Sequence, residues 1–191
     1  MLILDQVHFS FGSKCVLSDY SLHLQKGEIL ALMGASGVGK STILNLAAGL
    51  LQPNDGSITC NAINISYAFQ EPRLFPWLNA LQNVSVVLNG KDDATEQATR
   101  ALKLVELEQC AHLYPRELSG GMKSRVSLAR AIAHNGDLCL LDEPFAALDE
   151  ELRIRLSERL RQHIKQSGAS CLLVTHQVTD AERFADRIVT L

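Results

Sequence analysis

The sequence predicts an α/β fold with a mostly parallel sheet, an antiparallel β subdomain at the N-terminus and an inserted helical subdomain. Three continuous apolar runs support this prediction, because such runs are typical of strands that are buried on both faces of a parallel sheet. The runs lie in the segments 29–33, 137–141 and 171–175, which are apolar except for Asp137 and Thr175, and polar or glycine-rich residues follow each one. In open α/β sheets, ligands bind at the carboxyl ends of such strands.

The elements around the first run follow from residue periodicity. Segments 2–9 and 16–24 alternate apolar and polar residues, which predicts two strands of a small antiparallel sheet. A helix is expected directly after 29–33, with Pro53 beyond its end and a further short strand at 65–69. The expected apolar face of this helix consists of Ile43, Leu44, Ala47 and Leu50.

The stretch of about 79–135 departs from this pattern and predicts the inserted helical subdomain. Ser119 is an N-cap candidate for its last helix, and Gly136 is the expected end of that helix. Apolar residues then recur every four positions from 152 to 164, which predicts a crossover helix, and 187–191 is the expected last strand. We expect residues 1–191 to form a single domain.

Composition restricts the classes of protein that fit. The chain has 191 residues, 47% of them hydrophobic, and a formal net charge of -3, so an ordinary globular protein is expected rather than a nucleic-acid-binding one. No apolar run approaches the roughly 20 residues that span a bilayer, and the first residues do not resemble an export signal, so a cytoplasmic location is expected. The five scattered cysteines are expected to be buried, reduced thiols.

Residues 34–41 match the G-x-x-x-x-G-K-[ST] phosphate-binding loop. Its glycines allow backbone N–H groups to face phosphate oxygens, Lys40 would reach the β- and γ-phosphates, and the Ser41 hydroxyl would bind Mg²⁺. The alternative is a glycine-rich turn without a ligand, which the strand before the loop and the helix after it disfavour. The predicted nucleotide-binding residues here are Gly34, Ala35, Ser36, Gly37, Val38, Gly39, Lys40, Ser41 and Thr42.

Asp142 and Glu143 follow the second apolar run. The strand would fix the Asp142 carboxylate at the sheet edge, where it could hold Mg²⁺ opposite Ser41. The side chain of Glu143, one residue later, would point in a different direction from that of Asp142 and act as the general base for an attacking water molecule. The alternative interpretation is a solvated pair of loop carboxylates.

Residues 118–122 read Leu-Ser-Gly-Gly-Met, which by themselves indicate a capped helix start. With the phosphate loop upstream and Asp142–Glu143 downstream, this run resembles the signature motif of ATP-binding cassette (ABC) ATPases, and the resemblance covers essentially the whole chain. It implies a P-loop NTPase fold with a RecA-like core, ATP and Mg²⁺ as ligands, and a homodimer with composite sites. In that dimer Ser119, Gly120, Gly121 and Met122 would bind the ATP that is held by the second subunit.

The same resemblance implies roles for four further residues. Gln70 would sense Mg²⁺ and the attacking water, Asp149 would belong to the loop that communicates across the dimer, and His176 would contact the γ-phosphate. Phe11 stands where the family usually has a tyrosine that stacks on adenine, and a phenyl ring retains the stacking face. The alternatives are a structural role for His176 and a core aromatic role for Phe11 or Phe9.

Segment 70–78, followed by Asn83–Val84, resembles importers for nitrate, taurine, alkyl sulfonates and related small solutes. The resemblance implies an ATP-hydrolysing subunit at the inner face of the membrane that works with transmembrane permease subunits and, indirectly, a solute-binding protein. Leu74, Phe75 and Trp77 are expected to be exposed and to form part of the groove that receives a helix of the permease. The alternative is that Phe75 and Trp77 anchor the helical subdomain. The other functional classes are a soluble mechanical ABC ATPase and a nucleotide sensor without turnover.

Overall fold

The computed structural model describes residues 1–88 and 90–191. Their strands are β1 (Leu2–Phe11), β2 (Lys14–Leu24), β3 (Ile29–Met33), β4 (Asp55–Cys60), β5 (Ile65–Ala68), β6 (Leu138–Asp142), β7 (Ser170–Val174) and β8 (Arg187–Thr190). Their α-helices are α1 (Lys40–Ala47), α2 (Ala80–Ser85), α3 (Ala94–Leu104), α4 (Gly120–His134), α5 (Glu150–Ser167) and α6 (Val178–Phe184).

The main sheet has five strands in the order β5-β6-β7-β3-β8, and all of its strand pairs are parallel. The three continuous apolar runs form the three inner strands, as the sequence predicted. Every residue of β6 and β7 is buried, because helices cover both faces of the sheet. The ends of these inner strands therefore define one edge, where Asp142 pairs with Val174.

A second sheet is antiparallel, with the order β2-β1-β4. Strands β1 and β2 confirm the predicted antiparallel pair, whereas β4 was not predicted from the sequence. Alternation is present in β4, since Ile58 and Cys60 are half-buried and Ser57 and Thr59 are exposed. Helix α1 packs between this sheet and the main sheet, where Ile43 and Leu44 are fully buried.

Two helix ends differ from the predictions. Helix α1 ends at Ala47, and Leu50 is 58% exposed rather than buried, because Gly49 adopts a left-handed conformation with φ of 70°. Helix α4 begins after Ser119 as predicted, but its left-handed C-cap is Asn135 instead of Gly136. Glycine at position 136 allows the chain to pass close to β5, since a Cβ there would lie 2.7 Å from the Ser66 hydroxyl oxygen.

Helices α2, α3 and α4 lie between β5 and β6 in the chain and pack against one another. Their buried residues, among them Val84, Leu102 and Val126, belong to the same hydrophobic cluster as Leu141 of the main sheet. Helix α5 covers this face as well, with Leu156, Leu160 and Ile164 buried as the four-residue spacing predicted. Within the described part of the chain, no helix combines the length and apolarity needed to cross a bilayer.

The cysteines only partly follow the expectation of burial. Cys139 and Cys171 are buried and face each other across β6 and β7, where burial raises the pKa of the Cys171 thiol. Cys60 and Cys110 are half-buried. Cys15 is exposed, because it lies next to the turn of the β1–β2 hairpin, so the prediction of burial was wrong for this residue.

Candidate functional site: a nucleotide cavity at the strand ends

The phosphate-binding loop connects β3 to α1, and three of its glycines have positive φ values. These are 151° at Gly34, 80° at Gly37 and 115° at Gly39. Gly39 also lies under the β hairpin, since a Cβ at this position would be 2.9 Å from a methyl carbon of Val16. A side chain at Gly39 would therefore be strained and would collide with the hairpin.

The loop leaves backbone donors available. Among the described residues, Val38 is the one member of 36–42 whose N–H is bonded to a backbone carbonyl, that of Ala35 at 3.4 Å. Helix α1 begins at Lys40, so the first N–H groups of the helix also face this region. Free N–H groups at a helix start form an anion site, and this arrangement suits phosphate oxygens.

The ammonium of Lys40 is held against the same loop. Its Nζ donates hydrogen bonds to the carbonyls of Gly34 at 2.7 Å and Ala35 at 2.9 Å, and the residue is only 7% exposed. Because an ammonium has three donors, one remains for a further acceptor. The loop thus fixes a positive charge beside its own N–H groups.

A cavity of about 270 Å³ collects many of the predicted residues. It extends from an aromatic ring on the hairpin, over the phosphate-binding loop, to the carboxylates at the end of β6. The predicted residues that line it are Phe11, Ser36, Gly37, Gly39, Lys40, Ser41, Thr42, Gln70, Asp142 and Glu143. Lys14, Val16 and Val174 also line it, although none of the three was predicted from the sequence as a site residue.

Asp142 is 5% exposed, and its Oδ1 atom has no hydrogen-bond partner among the described residues. Burial raises the pKa of this carboxyl and the charge of Glu143 raises it further, whereas the Ser41 hydroxyl and the Lys40 charge favour ionisation. A buried carboxylate oxygen without a partner, next to a serine hydroxyl, suits a hard cation with oxygen ligands. The residues present therefore fit Mg²⁺.

Glu143 and His176 are in direct contact. Glu143 has a positive φ of 49°, its N–H donates to the Val174 carbonyl at 3.0 Å, and its side chain is mostly buried. His176 Nδ1 lies 2.8 Å from Oε1 and 2.9 Å from Oε2 of this carboxylate. An ionised carboxylate can only accept, so Nδ1 is the donor in this pair.

The aromatic residues near the cavity separate into two roles. Phe9 is buried in the core, whereas Phe11 is 55% exposed and lines the cavity. The two rings meet edge to face at 4.9 Å between centroids, so the buried Phe9 packs against the Phe11 ring and stabilises its position. The interpretation as a core aromatic therefore applies to Phe9 and not to Phe11.

The residues of the predicted signature lie outside this cavity. The Ser119 hydroxyl accepts a hydrogen bond from the Met122 N–H at 3.2 Å, which confirms the predicted N-cap. A Cβ on Gly121 would lie 2.8 Å from the Ala147 carbonyl, so the start of α4 abuts the loop that leads to α5. At the end of that loop, the exposed Asp149 caps α5 by accepting from the Leu152 N–H at 3.0 Å. These residues form a second surface, separate from the phosphate-binding loop.

Segment 74–77 is only partly as exposed as predicted. Trp77 is 69% exposed and Phe75 is 37% exposed, with 5.5 Å between ring centroids, but Leu74 is half-buried against the core. The buried Asn83 holds this turn, because its Oδ1 accepts from the Phe75 N–H at 2.8 Å and its Nδ2 donates to the Leu78 carbonyl at 2.8 Å. The two aromatic rings are therefore held on the surface.

Known proteins share both the sequence and the fold. Residues 17–146 match the ABC transporter family. An aliphatic sulfonates import ATP-binding protein, SsuB, of Granulibacter bethesdensis is 46% identical over 98% of this chain and 78% of the relative. A Fe(3+) ions import ATP-binding protein, FbpC, of Haemophilus influenzae (strain 86-028NP) is 40% identical, and the chain spans 60% of its length.

A solved structure agrees with this likeness. The ATP-binding cassette MJ0796, described as a dimer in a post-hydrolysis state bound to ADP and Pi, has a TM-score of 0.92 and 32% sequence identity, covering 100% of this chain and 94% of that chain. The parallel sheet, the antiparallel sheet and the helices thus form the ABC ATPase fold that the sequence predicted. Together with the family match over residues 17–146, this shows that the chain belongs to the ABC transporter family.

Proposed function

We propose that the chain binds and hydrolyses ATP and that this activity energises a membrane importer for a small solute. The observation that carries the proposal is the single cavity that joins the phosphate-binding loop to Asp142 and Glu143. Its two ends match the two parts of the reaction, since N–H groups and Lys40 suit phosphate binding and a carboxylate suits activation of water. The relatives named as import ATP-binding proteins support the same activity.

In this proposal, the base of ATP stacks on Phe11 and the phosphates lie along the loop between Gly34 and Thr42. Lys40 neutralises charge on the β- and γ-phosphates, so that less negative charge opposes the incoming water. Mg²⁺, held by Ser41, Asp142 and Gln70, would neutralise further phosphate charge.

Glu143 would then accept a proton from the water molecule as the water oxygen bonds to the γ-phosphorus and the bond to ADP breaks. Because His176 Nδ1 already donates to the Glu143 carboxylate, the histidine fixes the orientation of this base. General-base assistance contributes roughly 10²- to 10⁴-fold to the rate, or about 3 to 5 kcal/mol of the barrier.

The proposal includes a homodimer with two composite sites. Ser119, Gly120, Gly121, Met122 and Asp149 lie on a surface of their own, outside the cavity of the same chain. A second copy could place this surface over the phosphate-binding loop, so that each ATP contacts both chains. The dimeric state of the solved cassette supports this arrangement.

We further propose that the chain acts at the inner face of the cell membrane with transmembrane permease subunits, and through them with a solute-binding protein. The surface aromatic residues Phe75 and Trp77 suit a permease contact. They lie just before the helical subdomain of about 79–135, which in this proposal forms a single domain with the core. The solute would be of the nitrate, taurine or sulfonate kind. The SsuB relatives, which are named for aliphatic sulfonates, support the sulfonate part of this proposal, whereas the FbpC relative is named for Fe(3+) ions.

The hydrolysis step is tested by Glu143→Gln. We expect this variant to retain ATP binding and to lose turnover by about 10²- to 10⁴-fold, because an amide cannot accept the proton from water. Glu158→Gln on the exposed side of α5 is a matched control with the same change in charge. Steady-state hydrolysis by Glu143→Gln at the control's rate would contradict the role of Glu143 as the base.

The importer assignment is tested by purification from detergent-solubilised membranes. We expect the tagged chain to bring down a protein with several membrane-spanning helices. Recovery of ribosomes or DNA in place of a membrane protein would instead favour the soluble mechanical ATPase.

A further inference from the structure

Lys14 places a second positive charge in the nucleotide cavity. Among the described residues that line this cavity, Lys14 and Lys40 carry the cationic side chains. Lys40 belongs to the phosphate-binding loop, whereas Lys14 is the first residue of β2 on the hairpin. Two separate elements of the fold therefore bring a cation to the cavity.

The position of Lys14 follows from strand register. Phe11 and Lys14 are the last pair of the β1–β2 ladder, so the ammonium-bearing side chain starts beside the aromatic ring. A register irregularity leaves Val16 unpaired on β2, and both Lys14 and Val16 line the cavity. Val16 packs over Gly39 of the phosphate-binding loop, so this part of β2 lies against the loop.

The charge of Lys14 is not neutralised within the chain. The residue is exposed, and it forms no ion pair with any residue in 1–88 or 90–191. The two carboxylates of the cavity, Asp142 and Glu143, lie at the carboxyl end of β6, and neither forms an ion pair with Lys14. Lys14 can therefore attract an anionic group between the aromatic ring and the phosphate-binding loop.

We propose that Lys14 contacts the α-phosphate of the bound nucleotide. This inference rests on the proposed ATP-binding function of the cavity. When the base lies on Phe11 and the terminal phosphates lie on Lys40 and the loop N–H groups, the α-phosphate is the anionic group nearest to the hairpin. Lys14 then makes a substrate contact that fixes the nucleotide between its base and its reacting phosphate.

The contact predicts a loss of affinity that depends on which phosphates the ligand carries. We expect Lys14→Gln to lower the affinity for ATP, ADP and AMP by a similar factor of about 10 at low salt, since one charge-assisted contact is removed. Adenosine lacks the α-phosphate, and its affinity is expected to stay unchanged. Higher ionic strength should reduce the difference, because Lys14 is exposed to solvent.

The experiment is displacement of a fluorescent ATP analogue from the purified chain by each of these four ligands. Lys14→Arg should restore most of the affinity, and Lys26→Gln, at an exposed position on the turn before β3, should behave as wild type. Equal affinities of Lys14→Gln and wild type for all three nucleotides would overturn the inference. So would a loss confined to ATP, or an equal loss for adenosine. Failure of the wild-type chain to bind ATP would instead contradict the proposed function.

Discussion

Gly120 and Gly121 are neighbours in the first turn of α4, but a methyl group added to each would meet different surroundings. Nothing lies within 4 Å of a Cβ at Gly120, which is exposed. A Cβ at Gly121 would lie 2.8 Å from the Ala147 carbonyl oxygen, and the contacted atom belongs to the backbone. The two alanine variants should therefore differ in stability, although both change the same residue type in the same helical turn.

The geometry gives the size of this difference. Ordinary contact begins at 3.4 Å, so the Gly121→Ala variant must move backbone segments apart by 3.4 − 2.8 = 0.6 Å. Forced overpacking of this kind costs about 1 to 3 kcal/mol. Replacing glycine by alanine in a helix contributes up to about 1 kcal/mol of stability, and this gain is common to both variants. We therefore expect Gly121→Ala to be less stable than Gly120→Ala by about 1 to 3 kcal/mol.

The assay is urea denaturation of both variants and the wild type, followed by circular dichroism. For a chain of this size the expected difference corresponds to a Tm lower by about 2 to 12 °C in Gly121→Ala. Equal unfolding free energies for the two variants would refute the packing of α4 against the loop before α5.

Two further predictions concern the nucleotide and a buried acid. Phe11→Ala should weaken the binding of ATP by about 5- to 100-fold and leave the binding of tripolyphosphate, which has no base, unchanged. Phe11→Tyr should bind ATP like the wild type. Equal losses of affinity for ATP and tripolyphosphate in Phe11→Ala would contradict base stacking. Burial raises the pKa of Asp180 despite the nearby charges of Arg153 and Arg183, so the wild type loses stability as pH rises through that raised pKa. Asp180→Asn should therefore be more stable than wild type at about pH 7, with the advantage shrinking toward about pH 4, near the unfolded pKa of aspartate; a constant advantage in urea denaturation would contradict this.

The parts of the fold that the sequence predicted well are those with local and strong patterns. The continuous apolar runs identified the inner parallel strands, and the four-residue spacing identified α5. Strand β4 was missed because its buried side rests on two half-buried residues, Ile58 and Cys60, next to small polar ones. The end of α1 was placed too late because Leu50 fits the helical period, while Gly49 already turns the chain.

The site shows the same division between local and distant relationships. Linear motifs predicted the phosphate-binding loop and Asp142–Glu143, and the structure brings them to one cavity. Lys14 was missed because its place in the cavity depends on pairing with Phe11 and on the packing of the hairpin over the loop. The contact of Gly121 with Ala147 likewise joins residues that are distant in sequence, so no local pattern indicates it.

The central claim is that each ATP site requires residues of two copies of this chain. The direct measurement is sedimentation of Glu143→Gln with and without ATP, compared with the double variant Ser119→Arg, Glu143→Gln. We expect ATP to convert the 21.0 kDa Glu143→Gln chain to a dimer, and the double variant to bind ATP yet remain a monomer. A Glu143→Gln chain that stays monomeric when saturated with ATP, or a double variant that still dimerises, would contradict the composite site.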